Sequence, residues 1–161
     1  MPLAPGSAAP RAVLRDPAGK EVALADLCAG GPALLFVHKA DCPATAIAAR
    51  VLPRFAAVTG LALAAVSQDG GGEARAFAAA NGWEGTVRLL LDPEPWPASQ
   101  ALGVRATPTW LLLAGGRIEA VAEGWSRDDA NALAARAAGL LGTAPAVVAK
   151  PGGPEPALRP G

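Results

Sequence analysis

Cys42 is the residue in this sequence whose position most clearly suits chemistry. It comes shortly after the apolar run Ala33–Val37, and Pro43 follows it directly. A short apolar run bounded by glycine and proline predicts a buried strand, and proline is well accommodated in the first turn of a helix, where its missing N–H costs nothing. Cys42 is therefore predicted to lie at or beside the N-cap of a helix. The free N–H groups and the macrodipole of that helix favour a thiolate, so Cys42 is a candidate nucleophile.

The polar residues around Cys42 are candidates for tuning its reactivity. Lys39 and a charged His38 would favour the thiolate, whereas Asp41 would oppose it by repulsion between like charges. Thr45, one turn along the predicted helix, could donate a hydrogen bond to the thiolate. His38, the single histidine, is either a proton shuttle or a polar residue at the end of a strand. Lys39 either tunes the thiol or is a solvated charge, and Cys42 itself could be a thiol without a chemical role in a protein that only binds.

The second cysteine, Cys28, is not expected to pair with Cys42. The strand between them, about seven residues at roughly 3.3 Å each, would separate the two residues by about 20 Å. A disulfide needs Cα atoms within about 7 Å of each other. Cys28 is therefore predicted to be a small buried apolar residue.

Composition excludes several classes of function. The chain has 161 residues, 52% of them hydrophobic, and a net charge of +0, which predicts one domain with a real core and no nucleic-acid partner. No apolar run reaches about 18 residues, so no membrane span is expected. The N-terminal sequence lacks the pattern of a secretory signal, so a cytoplasmic location is expected, with a periplasmic or extracytoplasmic one open if a signal was removed. One histidine, two separated cysteines and scattered carboxylates predict no metal site, and no cofactor is expected.

The elements that must position Cys42 alternate between strands and helices. A hairpin of Ala12–Leu14 and Glu21–Leu24 is predicted first, then a central strand, Ala33–His38, and a helix, Pro43–Val58, with a kink at Pro53. The remaining predicted elements are strands Leu61–Val66, Val87–Leu91, Thr109–Leu113 and Arg117–Ala122, and helices Glu73–Asn81, Ala98–Leu102 and Asp128–Leu141. This alternation predicts an α/β fold in which helices flank a mixed central sheet.

Both ends of the chain are predicted to lie outside this domain. Residues 1–10 are expected to be disordered, and residues 11–142 to form the domain. Residues 143–161 contain eight glycines or prolines in nineteen positions, a composition typical of a disordered tail.

This order of elements, with a cysteine after the central strand, resembles the thioredoxin fold over about residues 11–141. The segment Gly103–Trp110 looks like the one that carries the cis-proline of that superfamily. The resemblance implies that Pro108 is cis and faces Cys42, and that Pro43, Thr107 and Pro108 contact an extended substrate. The N-terminal hairpin is similar to that of the redoxin branch, which includes membrane-tethered thioredoxin-like reductases and the alkyl hydroperoxide reductase/thiol-specific antioxidant group, or peroxiredoxins.

The sequence departs from both active-site patterns of that superfamily. Thr45 stands in place of the second cysteine of a Cys-x-x-Cys motif, so Cys42 cannot form an internal disulfide within the motif. The peroxiredoxin pattern Pro-x-x-x-Thr-x-x-Cys fails as well, because Leu35 and Lys39 occupy its proline and threonine positions.

Three functions remain open. The first is a single-cysteine thiol–disulfide oxidoreductase, in which Cys42 attacks a protein disulfide and an external thiol or a thioredoxin- or glutathione-type reductant regenerates it. The second is a one-cysteine thiol peroxidase, an antioxidant that reduces a hydroperoxide through a sulfenic acid. Either would make the chain a thiol-dependent oxidoreductase. The third is a binding module without turnover, which would hold a peptide between Cys42 and Pro108. No oligomeric state is predicted.

Overall fold

A mixed seven-stranded sheet forms the centre of the structure, a computed structural model that describes residues 3–161. Its spatial order is β2-β1-β5-β4-β3-β6-β7. In chain order the strands are β1 (Val13–Arg15), β2 (Glu21–Ala23), β3 (Ala33–His38), β4 (Ala62–Ser67), β5 (Arg88–Leu91), β6 (Thr109–Ala114) and β7 (Arg117–Glu123). The predicted α/β class and central strand are confirmed, and β3 runs parallel to β4 and antiparallel to β6.

Helices cover both faces of the sheet. They are α1 (Leu24–Leu27), α2 (Pro43–Val51), α3 (Gly71–Ala80), α4 (Pro97–Ala101) and α5 (Arg127–Leu141). All six residues of β3 are buried. Leu34 and Phe36 pack into one core with α2 and α5, while Leu35 and Val37 pack into a second core with the N-terminal hairpin and α4. The alternation of side chains along the strand thus anchors β3 from both sides.

Pro53 changes the course of the helix that follows Cys42. The predicted helix to Val58 instead ends as an α-helix at Val51 and continues as a 3₁₀ helix, Leu52–Ala57. Proline has no N–H to donate to the carbonyl four residues earlier, which here belongs to Ala49. The indole Nε1 of Trp83 donates to that oxygen at 2.9 Å, so the break leaves the buried carbonyl satisfied.

Removing that indole N–H is expected to destabilise the protein. In Trp83→Phe the carbonyl of the fully buried Ala49 would lose its partner, which costs on the order of 1–3 kcal/mol in the free energy of unfolding. Urea titration at pH 7 measures the change. Trp96→Phe is the matched control, because Trp96 also donates to a backbone carbonyl, that of Gln68 at 3.1 Å, but is only half-buried. Equal losses in the two variants would contradict this account.

Both ends of the chain, predicted to be disordered, instead pack on the domain where the structure describes them. At the N-terminal end, Gly6 N–H donates to the carbonyl of Ile118 at 2.7 Å and Ala8 bridges to Arg117. Residues 1 and 2 lie outside the described residues. At the C-terminal end, Val148 and Ala149 are buried in the core beside α5. A high glycine and proline content disfavours regular elements, but it did not prevent these contacts.

Polar side chains of the domain hold the C-terminal segment in place. The Oδ1 of Asn131 accepts from the N–H groups of Val148 and Ala149 at 2.9 and 3.1 Å. Arg54 donates to the carbonyl of Val148 at 3.0 Å and pairs with the buried carboxylate of Glu155. Burial raises the pKa of Glu155, but the hydrogen bond and charge of Arg54 outweigh it, and the net pKa lies below its ordinary value. These contacts fix the segment as far as Glu155.

Candidate thiol site

Cys42 caps the N-terminus of α2, as predicted. Its backbone is extended, with φ −88° and ψ 126°, and Pro43 occupies the first position of the helix. The Cys42 carbonyl accepts from Ala46 N–H at 3.1 Å, which begins the helical hydrogen bonds. The side chain is half-buried and Pro43 is exposed. The thiol therefore lies at the surface, at the positive end of a nine-residue helix.

The peptide bond between Thr107 and Pro108 is cis, as the resemblance implied. The Sγ of Cys42 donates to the carbonyl oxygen of Thr107 at 3.0 Å, so the thiol and the proline loop are in direct contact. The loop is fixed on both sides. Thr109 Oγ1 donates to the Ala106 carbonyl at 2.7 Å, and Gly124 N–H donates to the Pro108 carbonyl at 2.8 Å. A thiol, a helix terminus and a rigid backbone carbonyl thus meet at one point.

Thr45 does not donate a hydrogen bond to Cys42, contrary to the prediction. The Thr45 side chain is fully buried, and its Oγ1 has no hydrogen-bond partner within residues 3–161. Its place one turn into α2 directs it into the core instead. Thr45 fills the position of a second cysteine without contributing a described contact to the thiol.

His38 lies in an aromatic cluster rather than beside the thiol. Its ring stacks between Phe36 and Phe77, with centroids 5.4 and 5.2 Å away, and the edge of Trp83 meets it at 5.2 Å. Neither ring nitrogen has a hydrogen-bond partner in the described part of the chain. Burial lowers the pKa of His38. The Asp69 carboxylate and the Phe36 backbone, which is close by but outside hydrogen-bond geometry, offset this effect only in part, and the resulting pKa is about 4. A proton relay from His38 to Cys42 has no described path, and the ring is neutral at pH 7.

Lys39 is directed towards an aromatic ring. Its Nζ lies 5.7 Å from the centroid of Trp96, a cation–π contact. The turn between β3 and Cys42 is held from the next strand, because Asp69 Oδ2 accepts from Ala40 N–H at 2.8 Å. Asp69 was not predicted as a site residue. Its placement two residues after β4, a buried strand parallel to β3, was the available signal, since carboxyl ends of parallel strands meet at one edge of a sheet.

Cys28 is half-buried, not fully buried as predicted. It lines a cavity of about 750 Å³ between the segment Ala9–Val13 and α4, and its Sγ donates to the Ala25 carbonyl at 3.6 Å. Both cysteines are free thiols. Residues 3–161 contain no group of three or more histidines, cysteines or carboxylates that could hold a metal. None of the helices described is long and apolar enough to cross a membrane.

The strand order, the cysteine at the start of α2 and the facing cis-proline define a thioredoxin-fold protein. No protein family matches the sequence, and no curated protein matches it either. The similarity therefore rests on solved structures. A hypothetical protein from Sinorhizobium meliloti 1021 is 22% identical, with a TM-score of 0.72 and coverage of 91% of this chain and 89% of that one.

Two further similar structures are those of redox proteins. A secreted Mycobacterium tuberculosis disulfide oxidoreductase homologous to Escherichia coli DsbE is 18% identical, with a TM-score of 0.66 over 81% of this chain and 96% of that one. Peroxiredoxin 5 from Alvinella pompejana is 16% identical, with a TM-score of 0.59 over 75% and 89%. At these identities the similarity establishes the fold.

Proposed function

We propose that this chain is a single-cysteine thiol–disulfide oxidoreductase that uses Cys42 as its nucleophile. The observation that carries the proposal is the position of Cys42, half-exposed at the N-cap of α2 and 3.0 Å from the carbonyl that precedes the cis-proline. The partly exposed thiol is open to attack on a disulfide, and the helix terminus stabilises negative charge on sulfur. Disulfide oxidoreductases among the structures of the same fold support this general kind of activity.

The reaction proceeds by two exchanges. The Cys42 thiolate attacks one sulfur of a protein disulfide, forms a mixed disulfide with it and releases the other sulfur as a thiolate. Because Thr45 replaces a resolving cysteine, a thiolate from an external thiol must attack the mixed disulfide. That attack joins the external sulfur to the substrate sulfur and releases Cys42 as a thiolate. A glutathione- or thioredoxin-type reductant would supply this external thiolate.

One observation favours a second candidate, a binding module without turnover. The hydrogen bond from Cys42 Sγ to the Thr107 carbonyl uses the thiol proton. The thiolate has no proton to donate and would face a partially negative oxygen at the same distance. Reaction at Cys42 therefore requires the sulfur and this carbonyl to separate, whereas peptide binding does not.

The rate of Cys42 alkylation distinguishes the two candidates. In the Cys28→Ser background at pH 7, iodoacetamide is expected to react with Cys42 faster than with the thiol of glutathione under the same conditions, because the helix terminus stabilises a thiolate. Such a rate indicates an activated thiol, and hydroperoxide and disulfide substrates would then separate an oxidoreductase from a peroxidase. A reaction no faster than that of glutathione would overturn the proposal in favour of the binding module.

A further inference from the structure

The last five residues of the chain, 157–161, form a surface strand that we name the strap. Within it, β9 (Leu158–Arg159) pairs antiparallel with β8 (Trp125–Ser126). Arg127 N–H donates to the Ala157 carbonyl at 2.9 Å. The strap residues are all exposed, and the exposed fraction of Leu158 is 66%. Backbone pairing, rather than burial of side chains, therefore holds the strap in place.

The strap ends against the thiol site. A Cβ placed on Gly161 would lie 2.6 Å from the carbonyl oxygen of Thr107, the oxygen that accepts from Cys42 Sγ. A Cβ placed on Gly124 would lie 2.8 Å from Gly161 N and 2.9 Å from the Arg159 carbonyl. Real side chains do not tolerate such distances to backbone atoms, so two glycines permit this close approach. The strap consequently fills the space next to the cis-proline loop.

The strap is also the part of the C-terminal segment that can detach with the least disruption. Residues up to Glu155 are fixed by Asn131, Arg54 and the core, whereas the strap is held at the surface by a two-residue ladder and the hydrogen bond from Arg127 to Ala157. Segments with few buried contacts and exposed backbone hydrogen bonds open at low free-energy cost. The edge of β8 that it covers offers backbone pairing to any extended chain, because strand addition depends little on sequence.

We propose that the strap is an internal occupant of the groove in which an extended polypeptide would reach Cys42. A protein disulfide must displace it, whereas a small reagent reaches the half-exposed sulfur directly. The nature of the substrate rests on the function proposed above. A tethered occupant acts at an effective concentration in the millimolar range, so it is a strong competitor even when its own affinity is weak. The strap thus lowers the rate at which protein disulfides react with Cys42.

Two reagents applied to strap variants test this proposal. In the Cys28→Ser background, one variant ends at Pro156 and a second, full-length variant carries Gly161→Val, which cannot seat beside Thr107. Val147→Ala is the control, since Val147 is an exposed residue of the same segment, at 64%, outside the strap. The first probe is a ten-residue peptide with one cysteine activated as a 2-pyridyl disulfide. Cys42 attacks the peptide sulfur and pyridine-2-thione leaves. The second probe is iodoacetamide.

Both strap variants are expected to react with the peptide disulfide on the order of tenfold faster than the parent, since the tethered competitor is removed in the first and displaced from Thr107 in the second. Their rates with iodoacetamide should change less than twofold, and the control should match the parent with both probes. If neither strap variant reacts faster with the peptide, the strap proposal is overturned. Failure of the proposed function has a different signature, which is slow alkylation by iodoacetamide in the parent and in every variant.

Discussion

Cys42→Ser is expected to abolish thiol–disulfide exchange while the protein stays folded. A serine hydroxyl is not ionised at neutral pH and cannot form a mixed disulfide, so the rate should fall to that of the uncatalysed exchange. The fold should persist because a serine Oγ can donate to the Thr107 carbonyl as the thiol does, and serine is a favoured N-cap residue. Reduction of a peptide disulfide with glutathione as the regenerating thiol measures the activity, and urea titration measures the stability.

The comparison variant for this experiment is Cys28→Ser. Cys28 lines a separate cavity beside α4, so its replacement should leave the exchange rate within about twofold of wild type. If Cys42→Ser retained full activity, both thiol chemistries would be excluded, and peptide binding in the groove would become the leading function. If both variants were inactive, Cys28 would have to take part in the cycle, which would contradict the single-cysteine mechanism.

The free energy of unfolding is expected to fall by about 3 kcal/mol between pH 6.5 and pH 4 because of His38. The pKa of His38 is 6.5 in the unfolded chain and about 4 in the folded protein, where burial disfavours the charged ring. Above pH 6.5 the ring is neutral in both states, so it contributes no pH dependence. Between the two values the unfolded state binds a proton that the folded state does not, and stability falls by about 1.4 kcal/mol per pH unit. Below pH 4 both states are protonated and the loss levels off.

His38→Phe should remove this part of the pH dependence. A phenyl ring extends the stack of Phe36 and Phe77 and has no proton to bind, although its larger volume can lower the stability at all pH values. Urea titrations at pH 7, 6, 5 and 4 give the difference between the two proteins at each pH. Glu155 loses its stabilising effect as the pH falls below 4.5, its ordinary value, but it does so in both proteins. Parallel curves for wild type and His38→Phe would contradict the assignment.

The elements around the site could be predicted because their signals are local. The run Ala33–Val37 is short and wholly apolar, and Pro43 marks the start of the next helix, so β3 and the N-cap position of Cys42 follow from adjacent residues. Pro108 was placed opposite Cys42 only through resemblance to a known superfamily. Residues 65 positions apart carry no local signal that they meet.

The features that the sequence analysis predicted wrongly depend on distant partners. His38 packs against Phe77 and Trp83, which come from α3 and the loop after it, so a histidine four residues before Cys42 lies in an aromatic cluster. Residues 143–161 were predicted wrongly for the same reason. Their glycines and prolines correctly predict little regular structure, but Asn131 supplies the hydrogen bonds that their backbone needs. The composition of a segment predicts the structure that it forms alone, but it does not predict the hydrogen bonds and packing that another segment supplies.

The position of Gly161 bears on how the protein should be prepared for study. Gly161 lies beside the Thr107 carbonyl, so a purification tag attached directly to Gly161 would start next to the thiol and alter measured rates with Cys42 itself unchanged. Ala8 bridges to Arg117 at the start of β7, whereas Gly124 follows the last residue of that strand. Seven residues of strand separate these two points by about 20 Å. Kinetic work on this protein therefore calls for a chain in which nothing is attached directly to Gly161.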